Sequence, residues 1–204
     1  MQPNPVKAVF ASKNPGKTKE AAAILSGLGI SLVSMAEYRI DPAIAEDGET
    51  FEANALIKAR AVFDLTGVMA IADDSGLEID YLDKKPGVRS ARFMGENTPY
   101  TEKNRMILEF LANVPMRRRT ARFVCAAAAI RGGGSAAVVR GEIEGFIAFA
   151  PSGENGFGYD PIFLVPGYGL TMAELPEEIK NGISHRGKAL VKLKAALEAG
   201  GRRA

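Results

Sequence analysis

Few reactive side chains of the sulfur or imidazole type are present, since the 204 residues include one cysteine and one histidine. A single cysteine, Cys125, excludes an internal disulfide and any cysteine-rich zinc site. Cys125 lies in an apolar segment, and His185 lies in a different part of the chain, so a Cys–His nucleophilic pair is not expected. Cys125 is instead predicted to be a core residue.

Long hydrophobic runs are also missing. No stretch approaches the roughly 18 uncharged apolar residues of a membrane helix, and the first six residues lack the apolar segment of a signal peptide. The 22 glycines and 11 prolines stay well below the roughly 25–30% that marks low-complexity chains. We therefore expect one packed domain over residues 1–204, located in the cytoplasm and without a membrane partner.

Several catalytic and cofactor motifs are absent as well. There is no G-x-S-x-G, no H-E-x-x-H, and no G-x-G-x-x-G after the first predicted strand. The segment 11–18 comes one residue short of the P-loop pattern, because Ala11 stands where its first glycine belongs. Pro15 also removes a backbone N–H that a phosphate-cradling loop would use. A P-loop kinase or GTPase is therefore disfavoured.

The net charge of +2 argues against a nucleic-acid partner, but it conceals an uneven distribution. Residues 36–83 carry twelve acidic and three basic side chains, a balance of −9, so the rest of the chain carries +11. Such a partition fits a solvated surface. It also fits a site that holds a metal with carboxylates and an anion with lysines.

Hydrophobic periodicity and turn residues predict an α/β fold, a mixed sheet flanked by helices. Thr50 is a candidate N-cap and Gly67 a candidate stop for one helix. The Gly132–Gly134 run predicts a hairpin turn, which we interpret as part of a second lobe. The predicted strands are 6–11, 30–33, 68–72, 77–82, 121–130, 136–149 and 162–165, and the predicted helices are 17–28, 51–66, 101–111 and 186–199.

Two segments combine charge with a helix start. In Ser12–Lys17, a strand leads through a turn into a helix, whose first N–H groups and positive dipole end attract phosphate. In 46–54, acidic residues precede the helix that carries Lys58, and a carboxylate there suits a hard cation. An exposed turn and an ordinary acidic helix start are the alternatives.

Two further segments combine polar and aromatic groups. Asp73 and Asp74 follow a predicted core strand and would repel one another unless a cation or a proton lay between them, for which Mg²⁺ is the natural choice. In 156–161, aromatic rings alternate with glycines and could stack on a planar base, and Asp160 could read its donor edge. His185 and Ser184, a candidate N-cap, precede the last helix. Plain turns and a structural histidine are the alternatives.

Taken in order, these segments resemble the inosine/xanthosine triphosphate pyrophosphatase family. The resemblance covers nearly the whole chain, with seven motifs in register. They are Ser12–Lys17, Glu46–Gly48 with Thr50-Phe51 and Asn54-Ala55, Ile71–Leu77, Ser90–Phe93, Phe157–Phe163, Ala173–Leu175 and Ile183–Gly187.

The resemblance implies an elongated mixed sheet, two lobes with the active-site cleft between them, and usually a homodimer. It further implies a Mg²⁺-dependent cytosolic enzyme that converts ITP, dITP and XTP to the monophosphate and pyrophosphate, removing deaminated purines from the nucleotide pool.

Roles for individual residues follow from the same resemblance. Asp74 would accept the proton of the attacking water and bind the metal together with Glu46, and Asp73 would stand beside it. Ser75 would contact substrate. The triphosphate would be held by Ser12, Lys13, Asn14, Pro15, Gly16, Lys17, Lys58 and Lys180, and the base pocket would be formed by Phe157, Gly158, Tyr159, Asp160, His185 and Arg186.

A regulatory module that binds the nucleotide without hydrolysing it is the main rival in another class. The paired acids Asp73 and Asp74 beside Lys17 argue against it, because a pure binder has little use for two acids at the α-phosphate. The products formed from ITP distinguish these hypotheses.

Overall fold

The computed structural model describes residues 6–26 and 29–201, and within them it contains seven strands and five α-helices. The strands are β1 (Val6–Phe10), β2 (Ile30–Ser34), β3 (Ala70–Ile79), β4 (Thr120–Arg131), β5 (Ser135–Ile147), β6 (Phe163–Val165) and β7 (Leu170–Thr171). The helices are α1 (Pro15–Ser26), α2 (Phe51–Thr66), α3 (Tyr100–Phe110), α4 (Glu177–Ile183) and α5 (His185–Gly201).

All seven strands belong to one sheet in the order β2-β1-β3-β4-β5-β6-β7. Strand β1 pairs in parallel with β2, where Val6 faces Ile30, and with β3, where Val9 faces Ala70. Strand β6 is antiparallel to both β5 and β7. The sheet is therefore mixed, which confirms the predicted α/β class.

By internal contacts the chain divides into two compact units. Of the described residues, the first unit comprises those up to 74, those from 125 to 141 and those from 185 onward, and the second comprises 75–124 and 142–184. Each has its own apolar core. Phe10, Leu25 and Leu193 lie in the core of the first, and Leu77, Ile107 and Phe163 in that of the second. The glycine turn 132–134 falls in the first unit, so our interpretation of it as part of a second lobe is wrong.

Helix α2 has the predicted bounds because both of its ends are set locally. The Thr50 hydroxyl accepts a hydrogen bond from the Ala53 backbone N–H at 3.1 Å, which satisfies one of the free donors of the first turn. Gly67 ends the helix in the left-handed conformation, at φ 64°, and its N–H donates to the Phe63 carbonyl.

Helix α1 begins two residues earlier than predicted. Proline fits the first helical position, where its missing N–H would have no intrahelical partner, so the helix starts at Pro15. The Asn14 carboxamide oxygen accepts the Lys17 backbone N–H at 3.1 Å and thereby caps it. Leu28, the predicted last residue of this helix, lies outside the described residues.

Strand β3 does not break where the sequence suggested. It runs without interruption through the Asp73–Gly76 segment, and residues 80–82 then form a short 3-10 helix rather than more strand. The turn-like Ser75-Gly76 pair is overridden by the position of β3 inside the sheet, between β1 and β4. Strand β7 and helix α4 were not predicted.

The antiparallel arrangement around Gly132–Gly134 is confirmed, since β4 and β5 are adjacent in the sheet and joined by this short turn. Later in β5, Gly141 lies against the start of α5. A Cβ atom added there would come within 2.4 Å of the His185 carbonyl oxygen and 2.5 Å of the Ala189 nitrogen. Glycine therefore permits this close approach. Across the described part of the chain, none of the helices has the length and apolar character needed to cross a membrane.

Candidate active site

Lys58 lies between two carboxylates in the first unit. Its ammonium is 2.8 Å from Glu46 Oε2 and 2.9 Å from Asp74 Oδ1. Asp74 and Lys58 are both buried, at 7% exposure each. Burial raises the pKa of Asp74, although Lys58 and Lys17 oppose the change. Burial alone would lower the pKa of Lys58, but the surrounding carboxylates raise it and keep the ammonium charged.

Asn54 links the acidic loop before α2 to the Asp74 carboxylate of β3. The Asn54 carboxamide oxygen accepts the Gly48 backbone N–H at 2.8 Å, and its Nδ2 donates to Asp74 Oδ2 at 3.4 Å. A Cβ atom at Gly48 would come within 2.7 Å of Asn54 Oδ1, so the loop passes too close for a side chain. Asn54 therefore positions both the loop and the Asp74 carboxylate.

Asp73 has a different set of partners from Asp74. Its Oδ2 is 3.0 Å from Arg186 Nε and 3.3 Å from Lys17 Nζ. The same guanidinium also pairs with Glu20, one turn along α1 from Lys17. Asp73 and Arg186 are each 1% exposed. Asp73 and Glu20 raise the pKa of Arg186 against the effect of burial, so this guanidinium is charged inside the protein.

These contacts revise our expectation for the two neighbouring acids. We expected a cation or a proton between them. Because β3 continues through Asp73 and Asp74, their side chains point to opposite faces of the strand, where Asp74 contacts Lys58 and Asp73 contacts Arg186 and Lys17. Repulsion is relieved by separation as well as by pairing.

The predicted phosphate turn lies at the start of α1. The Ser12 hydroxyl accepts the Asn14 backbone N–H at 3.2 Å, which shapes the turn. Lys13 is exposed and pairs with Asp41 at 2.5 Å. A cavity of about 640 Å³ opens beside the turn, and Ser12, Lys13, Pro15 and Asp41 are among the residues that line it. Gly16 and Lys17 form the first turn of the helix.

The predicted base-binding loop lies in the second unit. Asp160 Oδ2 accepts the Phe157 backbone N–H and the Lys180 ammonium, both at 2.9 Å. Lys180 also lies over the Phe157 ring, 5.0 Å from its centroid. We assigned Lys180 to the triphosphate on the resemblance, and in the structure its ammonium contacts this loop.

The remaining predicted residues occupy defined positions in the fold. Ser75 lies in β3 directly after Asp74, and His185 is the buried first residue of α5. The predicted core position of Cys125 is confirmed, and its sulfur lies 3.9 Å from Asp73 Oδ2. Sequence reasoning missed Glu20 and did not include Asn54 among the site residues. No local sequence pattern marks Glu20 as a site residue. Asn54 could have been predicted, because a polar asparagine on the buried face of a helix near its start indicates a specific polar partner.

The donor set around Lys58 fits a magnesium ion. No cluster of three acidic, histidine or cysteine side chains forms a ready-made metal site within residues 6–26 and 29–201. Mg²⁺, however, is usually bound through one or two carboxylates together with substrate phosphates and water. Glu46 and Asp74 supply two such carboxylates within hydrogen-bonding distance of one ammonium. They are the residues that would hold it.

A mixed α/β sheet that carries buried acids, ammonium groups and a helix start has the features of a protein that binds phosphate groups. Comparison with known proteins identifies the family, because the Ham1 family model matches residues 8–196. The chain belongs to the Ham1 family, and the resemblance seen in the sequence is confirmed.

Curated relatives carry the name dITP/XTP pyrophosphatase. The one from Geobacter sulfurreducens is 50% identical over 92% of this chain and 94% of its own length. The one from Bacillus subtilis is 48% identical over 95% and 98%. The enzyme class expected from the sequence, a nucleoside triphosphate pyrophosphatase, is confirmed by these relatives.

Solved structures agree with the fold. The HAM1 protein from Coxiella burnetii has a TM-score of 0.84 at 42% identity, with 95% of this chain and 99% of that chain covered. The Ham1 protein from Staphylococcus aureus has a TM-score of 0.83 at 39% identity, with 95% and 99% covered.

Proposed function

We propose that the protein hydrolyses the non-standard purine nucleotides ITP, dITP and XTP to the nucleoside monophosphate and pyrophosphate. Water would attack the α-phosphorus, and the reaction would remove deaminated purines from the cytoplasmic nucleotide pool. The observation that carries the proposal is the buried Asp74 carboxylate, joined through the Lys58 ammonium to Glu46. The naming of the relatives as dITP/XTP pyrophosphatases supports the choice of substrate.

Asp74 is the proton acceptor in this proposal. A general base works best when its pKa lies near the working pH, and burial raises the pKa of Asp74 toward that range. Asn54 holds one oxygen of the carboxylate while Lys58 holds the other. The base is therefore oriented before substrate arrives.

Charge on the triphosphate has to be offset before water can approach. Lys17, Lys58 and the turn that begins at Ser12 provide ammonium groups and the positive end of α1 for this purpose. Mg²⁺ held by Glu46 and Asp74 would neutralise further phosphate charge when bound.

The purine ring of the substrate is assigned to the loop of Phe157 to Asp160. The half-buried Phe157 ring offers a stacking surface, and Asp160 and Lys180 are fixed beside it. A 6-oxopurine presents an acceptor where adenine presents an amine, and a mispaired polar group in a dry pocket discriminates strongly.

Roles for His185 and Arg186 in the base pocket, and the assembly of the protein as a homodimer, are further parts of the proposal that rest on the resemblance. Light scattering tests the homodimer.

The experiment is a product analysis. Purified protein is incubated with Mg²⁺ and ITP, dITP, XTP, ATP or GTP, and the products are separated by ion-exchange chromatography. We expect IMP and pyrophosphate from ITP, with much slower turnover of ATP. Orthophosphate would indicate a P-loop type of NTPase, and no product would indicate a binding module.

A labelling experiment locates the attack. When the reaction is run in water enriched in ¹⁸O, attack at the α-phosphorus places the label in IMP, and attack at the β-phosphorus places it in pyrophosphate. We expect the label in IMP. Label in pyrophosphate would overturn the proposed position of the water.

A further inference from the structure

Helix α3 lies along the loop assigned to the base, and two of its side chains contact the loop from one face. Tyr100 and Asn104 are one turn apart and so project on the same side of the helix. The Tyr100 ring meets the Tyr159 ring edge-on, with centroids 5.1 Å apart and planes at 87°. The Asn104 Nδ2 group donates to the Gly158 carbonyl at 3.1 Å.

Three consecutive residues of this loop are each held by a different group. The Phe157 backbone N–H donates to Asp160, and the Tyr159 hydroxyl donates to the Ser90 carbonyl at 2.8 Å. The middle residue, Gly158, adopts a left-handed conformation at φ 71°, and its carbonyl accepts a hydrogen bond from the Asn104 carboxamide. Asn104 is thus a side chain from outside the loop that contacts its central peptide.

The asparagine is not explained by packing alone. Asn104 is 5% exposed, and its Oδ1 atom has no hydrogen-bond partner within the described part of the chain. A buried acceptor without a partner destabilises a fold, and an apolar side chain of the same size would avoid that loss. The donor to Gly158 is the contact that the amide supplies and an apolar residue does not.

We propose that Asn104 is a positioning residue for base recognition, which sets specificity by fixing the Gly158 peptide between the stacking residue Phe157 and Tyr159. The inference rests on the proposed function, because it takes this loop as the base site. Asn104 acts through the loop. When its donor is removed, the loop should lose its fit to the purine while the groups that meet phosphate stay intact.

Three substitutions separate the donor from size and burial. Asn104→Asp keeps the shape but has only acceptors when ionised, and Asn104→Leu keeps the size without polar groups. Asn104→Ser retains a hydrogen-bond donor on a shorter side chain, so its effect on purine binding should be smaller than that of the other two substitutions. Asn113→Asp is the matched control, because Asn113 is exposed in the turn that follows the same helix.

The readouts are kcat and KM for ITP and ATP, together with inhibition by each product. Loss of one hydrogen bond predicts that Asn104→Asp and Asn104→Leu raise KM for ITP and the inhibition constant of IMP by about 5- to 10-fold. The ratio of kcat/KM for ITP over ATP should fall by a similar factor. Changes in kcat and in inhibition by pyrophosphate should stay within about twofold, and Asn113→Asp should match the wild type.

Several results would overturn the inference. An unchanged IMP inhibition constant in both variants would show that the loop does not need Asn104. Equal losses for IMP and pyrophosphate would show general structural damage rather than positioning. The proposed function is tested separately by the wild-type protein, since absence of pyrophosphate from ITP would be seen before any variant is made.

Discussion

At the scale of single residues, the site depends on how one strand distributes two adjacent acids. Asp74 faces Lys58 and Asn54, and Asp73 faces Lys17 and Arg186. Lys58 and Asn54 hold the Asp74 carboxylate, and the Asp73 carboxylate joins α1 to the start of α5. The two acids therefore have different expected roles, although the sequence places them side by side.

The first prediction concerns the proposed base. Asp74→Asn removes the proton acceptor but keeps the size of the side chain, so kcat for ITP should fall by about 10²- to 10⁴-fold. KM should change much less, because the ammonium groups and the loop that we propose to contact substrate are retained. Steady-state kinetics measures both.

Asp64→Asn, on the exposed side of α2, is the matched control and should leave kcat unchanged. An unaltered kcat in Asp74→Asn would refute the role of Asp74.

At the scale of elements, buried charges fix where α1, β3 and α5 meet within the first unit. Arg186 at the start of α5 bonds Asp73 of β3 and Glu20 of α1. A buried ion pair contributes little net stability compared with apolar packing, yet removal of one partner leaves charge without compensation. This group is therefore expected to be sensitive to single substitutions.

The second prediction tests that sensitivity. Arg186→Met leaves the Glu20 and Asp73 carboxylates without their shared guanidinium, and the free energy of unfolding should fall by about 3–5 kcal/mol. Urea denaturation measures the change. Arg105→Met is the control, because Arg105 forms exposed ion pairs with Glu102 and Glu109, and its loss should cost less than about 1 kcal/mol. Equal effects of the two substitutions would contradict the importance of the buried group.

The elements also show which features local sequence can predict. The bounds of α2 depend on Thr50 and Gly67, which act within one turn of the helix ends, so sequence alone was sufficient. The course of β3 depends on its neighbours in the sheet, and Ser75-Gly76 misled us into predicting a break. Asn104 contacts a residue 54 positions away, a pairing that no local pattern encodes.

At the scale of the whole molecule, each of the two units has an apolar core of its own. The core of the first unit is built from apolar side chains such as Phe10 and Leu25, and that of the second from residues such as Ile107 and Phe163. The acidic excess of 36–83 is partly offset at the site, where Glu46 and Asp74 pair with Lys58. The uneven charge distribution of the sequence thus includes both a surface component and a site component.

The two apolar cores lead to a prediction for the proposed magnesium ion. Because the packing of apolar side chains stabilises each unit without a metal, removal of Mg²⁺ by a chelator should abolish turnover of ITP and leave the fold intact. Circular dichroism should show the same spectrum, and the melting temperature should shift by no more than about 2 °C, since a metal that binds weakly without substrate adds little stability.

Excess Mg²⁺ should restore activity in full, whereas Glu46→Gln should require a higher Mg²⁺ concentration for half-maximal rate. Turnover that persists in chelator would exclude the metal from the reaction. Loss of the folded spectrum would instead make the metal structural.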